Sequence, residues 1–110
     1  MSTRNPIQEL KDALISVGLP VAHGWAHKAK APYLVWREDG GGDPLKANGK
    51  TAEHPIRGTV HLFEPEELED SNFHKVERAL NSIECAWDLS SIQHEQDTGL
   101  VHFEWSWEVC

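Results

Sequence analysis

Histidine is the residue type in this chain that most invites chemistry. There are seven, and a neutral imidazole is a common ligand for transition metals. His23 and His27 stand four apart, a spacing that would align both rings on one side of a helix. Gly24 lies between them and Pro20 just ahead, so no helix is expected there. No third ligand follows at a recognisable spacing and there is no HExxH. The histidines therefore read as scattered polar surface residues, and no metal site is expected.

Other routes to catalysis fail in the same way. There is no GxSxG, and Cys85 and Cys110 form no CxxC. Cys85 falls beside an apolar helical stripe and reads as a small buried hydrophobe, while Cys110 ends the chain. Both fit free thiols in a reducing compartment. Gly40-Gly41-Gly42 is no phosphate cradle: the nearest Gly-Lys-Thr, at 49–51, has Pro44 where a P-loop needs its first glycine. The acidic run at 64–70 reads as a solvated helix start and not as a catalytic carboxylate pair. No catalytic or cofactor-binding residue is expected, and no cofactor. The chain reads as non-enzymatic.

What remains is surface chemistry, and the charge is unevenly placed. Residues 1–50 sum to +2 and residues 51–110 to −10. An acidic chain is poorly suited to gripping phosphates but suits a wall to which DNA should not stick. At 110 residues the chain fits one domain with one modest core, which oligomerisation would help to stabilise. No apolar run approaches the ~18 residues of a membrane span, and the polar N-terminus does not read as a secretory signal.

The elements that would position these residues follow from periodicity. Asn5-Pro6 reads as an N-cap followed by a first helical residue. Ile7, Leu10, Leu14 and Val17 form one helical stripe, and Gly18 and Pro20 end it. Residues 21–31 read as a short strand or extended arm, and 33–37 as a strand rich in β-formers. Residues 39–53, with three glycines and a proline, read as a long loop or flexible arm. Ile56, Gly58, Val60 and Leu62 then alternate with Arg57, Thr59, His61 and Phe63, which predicts a strand. Glu66, Glu67, Glu69 and Asp70 are expected before or within the first turn of a second helix, whose stripe is Phe73, Val76, Leu80 and Ile83.

A hairpin closes the chain. Its first strand is expected to set Trp87, Leu89 and Ser91 against Asp88, Ser90 and Ile92, and a turn follows at 97–99. Its second sets Val101, Phe103, Trp105, Trp107 and Val109 against His102, Glu104, Ser106 and Glu108. The expected architecture is α+β, in the order α-β-β-(long loop)-β-α-β-β: a mainly antiparallel sheet with two helices on one face. Trp105 and Trp107 are expected in the core. Trp25 and Trp36 are candidate anchors for a subunit contact, where tryptophan is enriched.

The segment Ala31-Pro32-Tyr33-Leu34-Val35-Trp36 is similar to the Pro-Tyr-apolar strand of small tail proteins from long-tailed phages and prophages. Ala47-Asn48-Gly49-Lys50 resembles the loop element that follows it in those proteins, and the helix over 73–83 and the aromatic closing strand come in the same order. From Ile7 onward the chain resembles tail terminators, also called tail completion or head–tail joining proteins. The resemblance implies a structural virion protein that caps the tail tube as a homo-oligomeric, hexameric ring. Its implied partners are further copies of itself, the major tail tube protein and the head–tail connector, with DNA only passing through and no membrane. The place of action would be the virion tail or neck, after assembly in the host cytoplasm.

Under this reading the candidate interface residues are Trp25, Trp36, Asp39, Gly40, Gly41, Gly42, Asp43, Lys46, Asn48 and Lys50. The candidate lumen acids are Glu66, Glu67, Glu69, Asp70, Glu104 and Glu108. Two other readings stand beside it: an acidic DNA mimic that inhibits a host nuclease, or another phage neck or minor head protein. A His-dependent metal hydrolase ranks last.

Overall fold

The computed structural model describes residues 5–25, 30–41 and 55–109. Its first helix starts as the local sequence dictates. The Asn5 side chain accepts a hydrogen bond from the Gln8 backbone N–H at 3.1 Å, and Pro6 occupies the first turn, where no N–H is needed. This helix, α1 (Pro6–Ile15), buries Leu10, Ala13 and Leu14. Gly18, at φ +95°, turns the chain away in a conformation that costs other residues more.

Five strands follow: β1 (Val21–His23), β2 (Tyr33–Gly41), β3 (Ile56–Pro65), β4 (Ala86–Glu95) and β5 (Leu100–Val109). They form one sheet in the order β1-β2-β3-β5-β4. The β1–β2 pair is parallel and the other three pairs are antiparallel. A second helix, α2 (Phe73–Asn81), lies between β3 and β4 in the chain. The α+β class and the order of elements are those the periodicity predicts.

Alternation along the strands sorts residues between two faces. Leu34, Trp36, Val60, Leu62, Trp105, Trp107 and Val109 turn to one side and bury with Leu10 and Leu14 of α1 and Val76 and Leu80 of α2. Both helices therefore cover this face. Gly58 is on it for a steric reason: a Cβ there would come within 2.3 Å of the Trp107 ring and 2.1 Å of the Arg37 carbonyl oxygen. Cys85 packs half-buried against the same core, and burial raises its thiol pKa, as expected of an inert cysteine.

Glu64, at the end of β3, is 3% exposed and tethers the start of α2. Its carboxylate accepts from the Asn72 backbone N–H at 3.0 Å, from Asn72 Nδ2 at 3.1 Å and from the Ser71 hydroxyl. A buried carboxylate is tolerated because it is hydrogen-bonded on both oxygens.

Two expectations need correction and a third is narrowed. Residues 39–53 do not all form a loop. β2 continues to Gly41, with Gly40 opposite Arg57 and Gly41 opposite Ile56, and Asp39 is the extra residue of a bulge. Second, of the two places expected for Glu66, Glu67, Glu69 and Asp70 the structure selects the first: all precede α2, whose first turn holds no acidic residue. They sit in the turn after β3, where the Glu66 N–H bonds the Gly99 carbonyl at 3.0 Å. Third, a register shift between Leu89 and Ser91 reverses the predicted alternation in β4. Ile92 pairs with Phe103, on the helix side, and Ser91 pairs with Glu104, on the other. One extra residue in a strand flips every side chain beyond it.

Candidate functional site

No helix covers the second face of the sheet among the described residues, and its side chains form cross-strand rows. One row holds Tyr33, Phe63, His102 and Gln93, and the next Val35, His61, Glu104 and Ser91. The Tyr33 and Phe63 rings stack at 4.9 Å, and Phe63 and His102 at 4.2 Å. Diagonally, His61 Nδ1 lies 2.7 Å from His102 Nε2. Such diagonal neighbours on adjacent strands are within reach of ring side chains.

The outer nitrogens of the two imidazoles also have partners. His61 Nε2 hydrogen-bonds Thr59 Oγ1 at 3.1 Å, and His102 Nδ1 is 3.8 Å from a Glu95 carboxylate oxygen. His61, His102 and Glu104 each bring a ligand-type atom to within 4.8 Å of the others, and all three are half-buried. Burial, followed by the neighbouring His102, pushes the His61 pKa down and favours a neutral ring. Burial, followed by the charge of Glu95, raises the Tyr33 pKa, so its hydroxyl stays protonated. These rings line an open hollow of about 330 Å3, with Trp25, 72% exposed, also on its wall.

A second hollow of about 630 Å3 lies further along the same face, between Asp39, Arg57, Asp88, Ser106 and Glu108. Arg57 and Glu108 are 3.2 Å apart, and Arg37 and Asp39 3.4 Å. Trp107 contributes to the wall, and its indole N–H is buried without a hydrogen-bond partner.

A comparison with protein-family models gives no match, and a search of curated proteins returns no significant one. The functional reading therefore rests on the chain itself.

The structure separates the candidate interface residues. Trp25 is exposed, as a subunit anchor must be. Trp36 is not: at 2% exposure it is part of the core, stacked on His23 at 4.0 Å and tilted against Trp107 at 6.4 Å. A buried indole offers a neighbour no surface, so Trp36 is removed from the interface. Asp39 is exposed beside the larger hollow, and Gly40 and Gly41 belong to β2. Gly42, Asp43, Lys46, Asn48 and Lys50 lie outside the described residues, as do His27, His54 and Cys110.

The candidate lumen acids also divide. Glu66, Glu67, Glu69 and Asp70 are exposed at the end of the sheet near the β4–β5 turn, where Glu66 lies 3.6 Å from His94. Glu108 sits near the other end of β5, roughly 27 Å away at the usual rise per strand residue, with Glu104 between. Spacing along the chain missed the pairing of His61 with His102, because the two are 41 residues apart and meet only through the β3–β5 register. The one signal was that both alternate to the outward side of their strands.

Proposed function

We propose that this chain is a tail terminator of a long-tailed phage or prophage: a structural subunit that closes into a homo-oligomeric ring, hexameric by its resemblance, and catalyses nothing. The ring would cap the tail tube and meet the head–tail connector. The observation that carries the reading is a sheet finished on one face only. Its helix side is closed by α1 and α2, while its other face is uncovered and the outer edge of its long strand β4 is unpaired within the described residues. β4 exposes Leu89 at 37% and Ile92 at 48%. A ten-residue edge strand with apolar side chains in water is a template for pairing with another chain.

Subunits of a ring touch through two unlike patches. One patch is β4, and the other is the far edge, where β1 and the exposed Trp25 lie. In this arrangement the acidic turn holding Glu66, Glu67, Glu69 and Asp70 is the part suited to a bore through which DNA slides, since like charge keeps phosphates from adhering. Glu108 is paired with Arg57 and contributes less.

The test is to mix the purified chain with tail tube protein and measure mass by light scattering and ring formation by electron microscopy. The wild-type chain is expected to form rings on tube ends. Leu89→Asp combined with Ile92→Asp is expected to stay monomeric and leave tubes uncapped. A wild-type chain that ignores the tube but binds a basic nuclease would overturn the reading in favour of a DNA mimic. Unchanged rings in the double variant would remove β4 from the joint.

A further inference from the structure

We propose that His61, His102 and Glu104 form a binding site for one divalent transition-metal ion of the zinc class on the uncovered face of the sheet. The inference rests on their mutual geometry and does not depend on ring assembly. The two imidazoles present His61 Nδ1 and His102 Nε2 to each other at 2.7 Å. Their outer nitrogens face oxygens, Thr59 Oγ1 at 3.1 Å and Glu95 Oε2 at 3.8 Å. Outer oxygens of this kind hold a metal-bound histidine with its proton outside and its lone pair inside. Without an ion the two rings form an ordinary N–H···N hydrogen bond, one ring donating and the other accepting. A metal ion would displace that proton and take the lone pairs of both rings.

Glu104 favours the metal. A hydrogen bond between the rings uses only two nitrogens, one donating and one accepting, yet a carboxylate stands opposite His61 in the β3–β5 register and brings a third ligand-type atom within 4.8 Å. Two imidazoles and a carboxylate suit zinc, nickel or copper; magnesium and calcium prefer oxygen alone. Three protein ligands leave a fourth tetrahedral place, which the open hollow gives to water. Zinc–nitrogen bonds of about 2.0–2.1 Å at tetrahedral angles place two nitrogens roughly 3.3 Å apart, so the rings must separate by about half an ångström. Half-buried side chains on neighbouring strands can move that far by small rotations. Burial also keeps His61 neutral, its ligating form. Arg37 and Asp39 act on His61 with opposite sign, so the positive charge of Arg37 is offset there.

The experiment uses the full, untagged chain stripped with a chelator, then titrated with zinc by calorimetry and with cobalt by visible absorption. One equivalent is expected to bind with a micromolar or lower dissociation constant, unaffected by excess magnesium. His61→Asn, His102→Gln and Glu104→Gln are each expected to weaken binding at least about tenfold, and Thr59→Val by a smaller factor. His94→Ala, remote from the site, is expected to change nothing. If a histidine variant melts early, Glu104→Gln and the cobalt spectrum of the wild type still decide. The proposal is overturned if the wild-type chain shows no saturable binding. It is equally overturned if the His61 and His102 variants bind as well as wild type, which would give the metal to scattered surface histidines.

Discussion

On β5, Trp105 is fully buried, while Ser106, the next residue, is exposed and Glu104, the one before, is half-buried. The same contrast holds on β3 between Val60 and Leu62, both fully buried, and the half-buried His61 and Phe63. The helix-covered face is governed by volume: indoles, leucines and valines fill the space beneath α1 and α2, and Gly58 leaves room for the Trp107 ring that a Cβ would strike. The uncovered face is governed by partner chemistry: imidazoles, carboxylates, hydroxyls and two arginines meet across strands. One sheet thus divides its work. The first face supplies the stability, which leaves the second free to carry groups that a packed core would not tolerate.

The comparison can be broken most directly at Trp105, whose indole N–H also donates to a Glu77 carboxylate oxygen at 3.0 Å. Trp105→Ala is expected to cost about 3–5 kcal/mol in urea unfolding, a large part of a small domain's stability. Gly58→Ala follows, at about 1–3 kcal/mol, because the added methyl meets backbone and ring with nowhere to go. Glu64→Ala is expected to cost about 1–3 kcal/mol by leaving the donors of Asn72 and Ser71 unanswered.

On the uncovered face, Glu108→Gln is expected to shift stability by no more than about 1 kcal/mol, since its ion pair with Arg57 is exposed. If this change costs as much as Trp105→Ala, the second face is structural and the division fails. The smallest effect concerns pH. The hydrogen bond from His23, at 2.6 Å, lowers the Glu38 pKa below its ordinary 4.5. The unfolded chain therefore takes up the proton first on acidification. The stabilisation is complete above the ordinary carboxyl pKa and is lost as pH falls through the lowered one. Glu38→Gln should flatten that acid limb by less than about 1 kcal/mol, because both partners are more than a third exposed.

How far each region could be read in advance follows from the same contrast. The α1 cap, the stripe of α2 and the alternation of β3 and β5 are local patterns, and all are realised. The errors fall where a local pattern meets a non-local demand. The β4 alternation reverses at a bulge that only its pairing with β5 reveals, and Gly40 and Gly41 extend β2 because β3 offers partners. Trp36 reads as a possible anchor from composition, but its place opposite Val60 puts it inside. The histidines look scattered because ligand spacing within one element was the available test.

Sequence by itself determined the kinds and order of the elements and which side of β3 and β5 is apolar, because helix and strand periods are written residue by residue. Tertiary structure alone decided which outward side chains meet. The approach of His61 to His102 depends on the register between β3 and β5, and register arises from hydrogen bonds and packing between segments far apart in the chain.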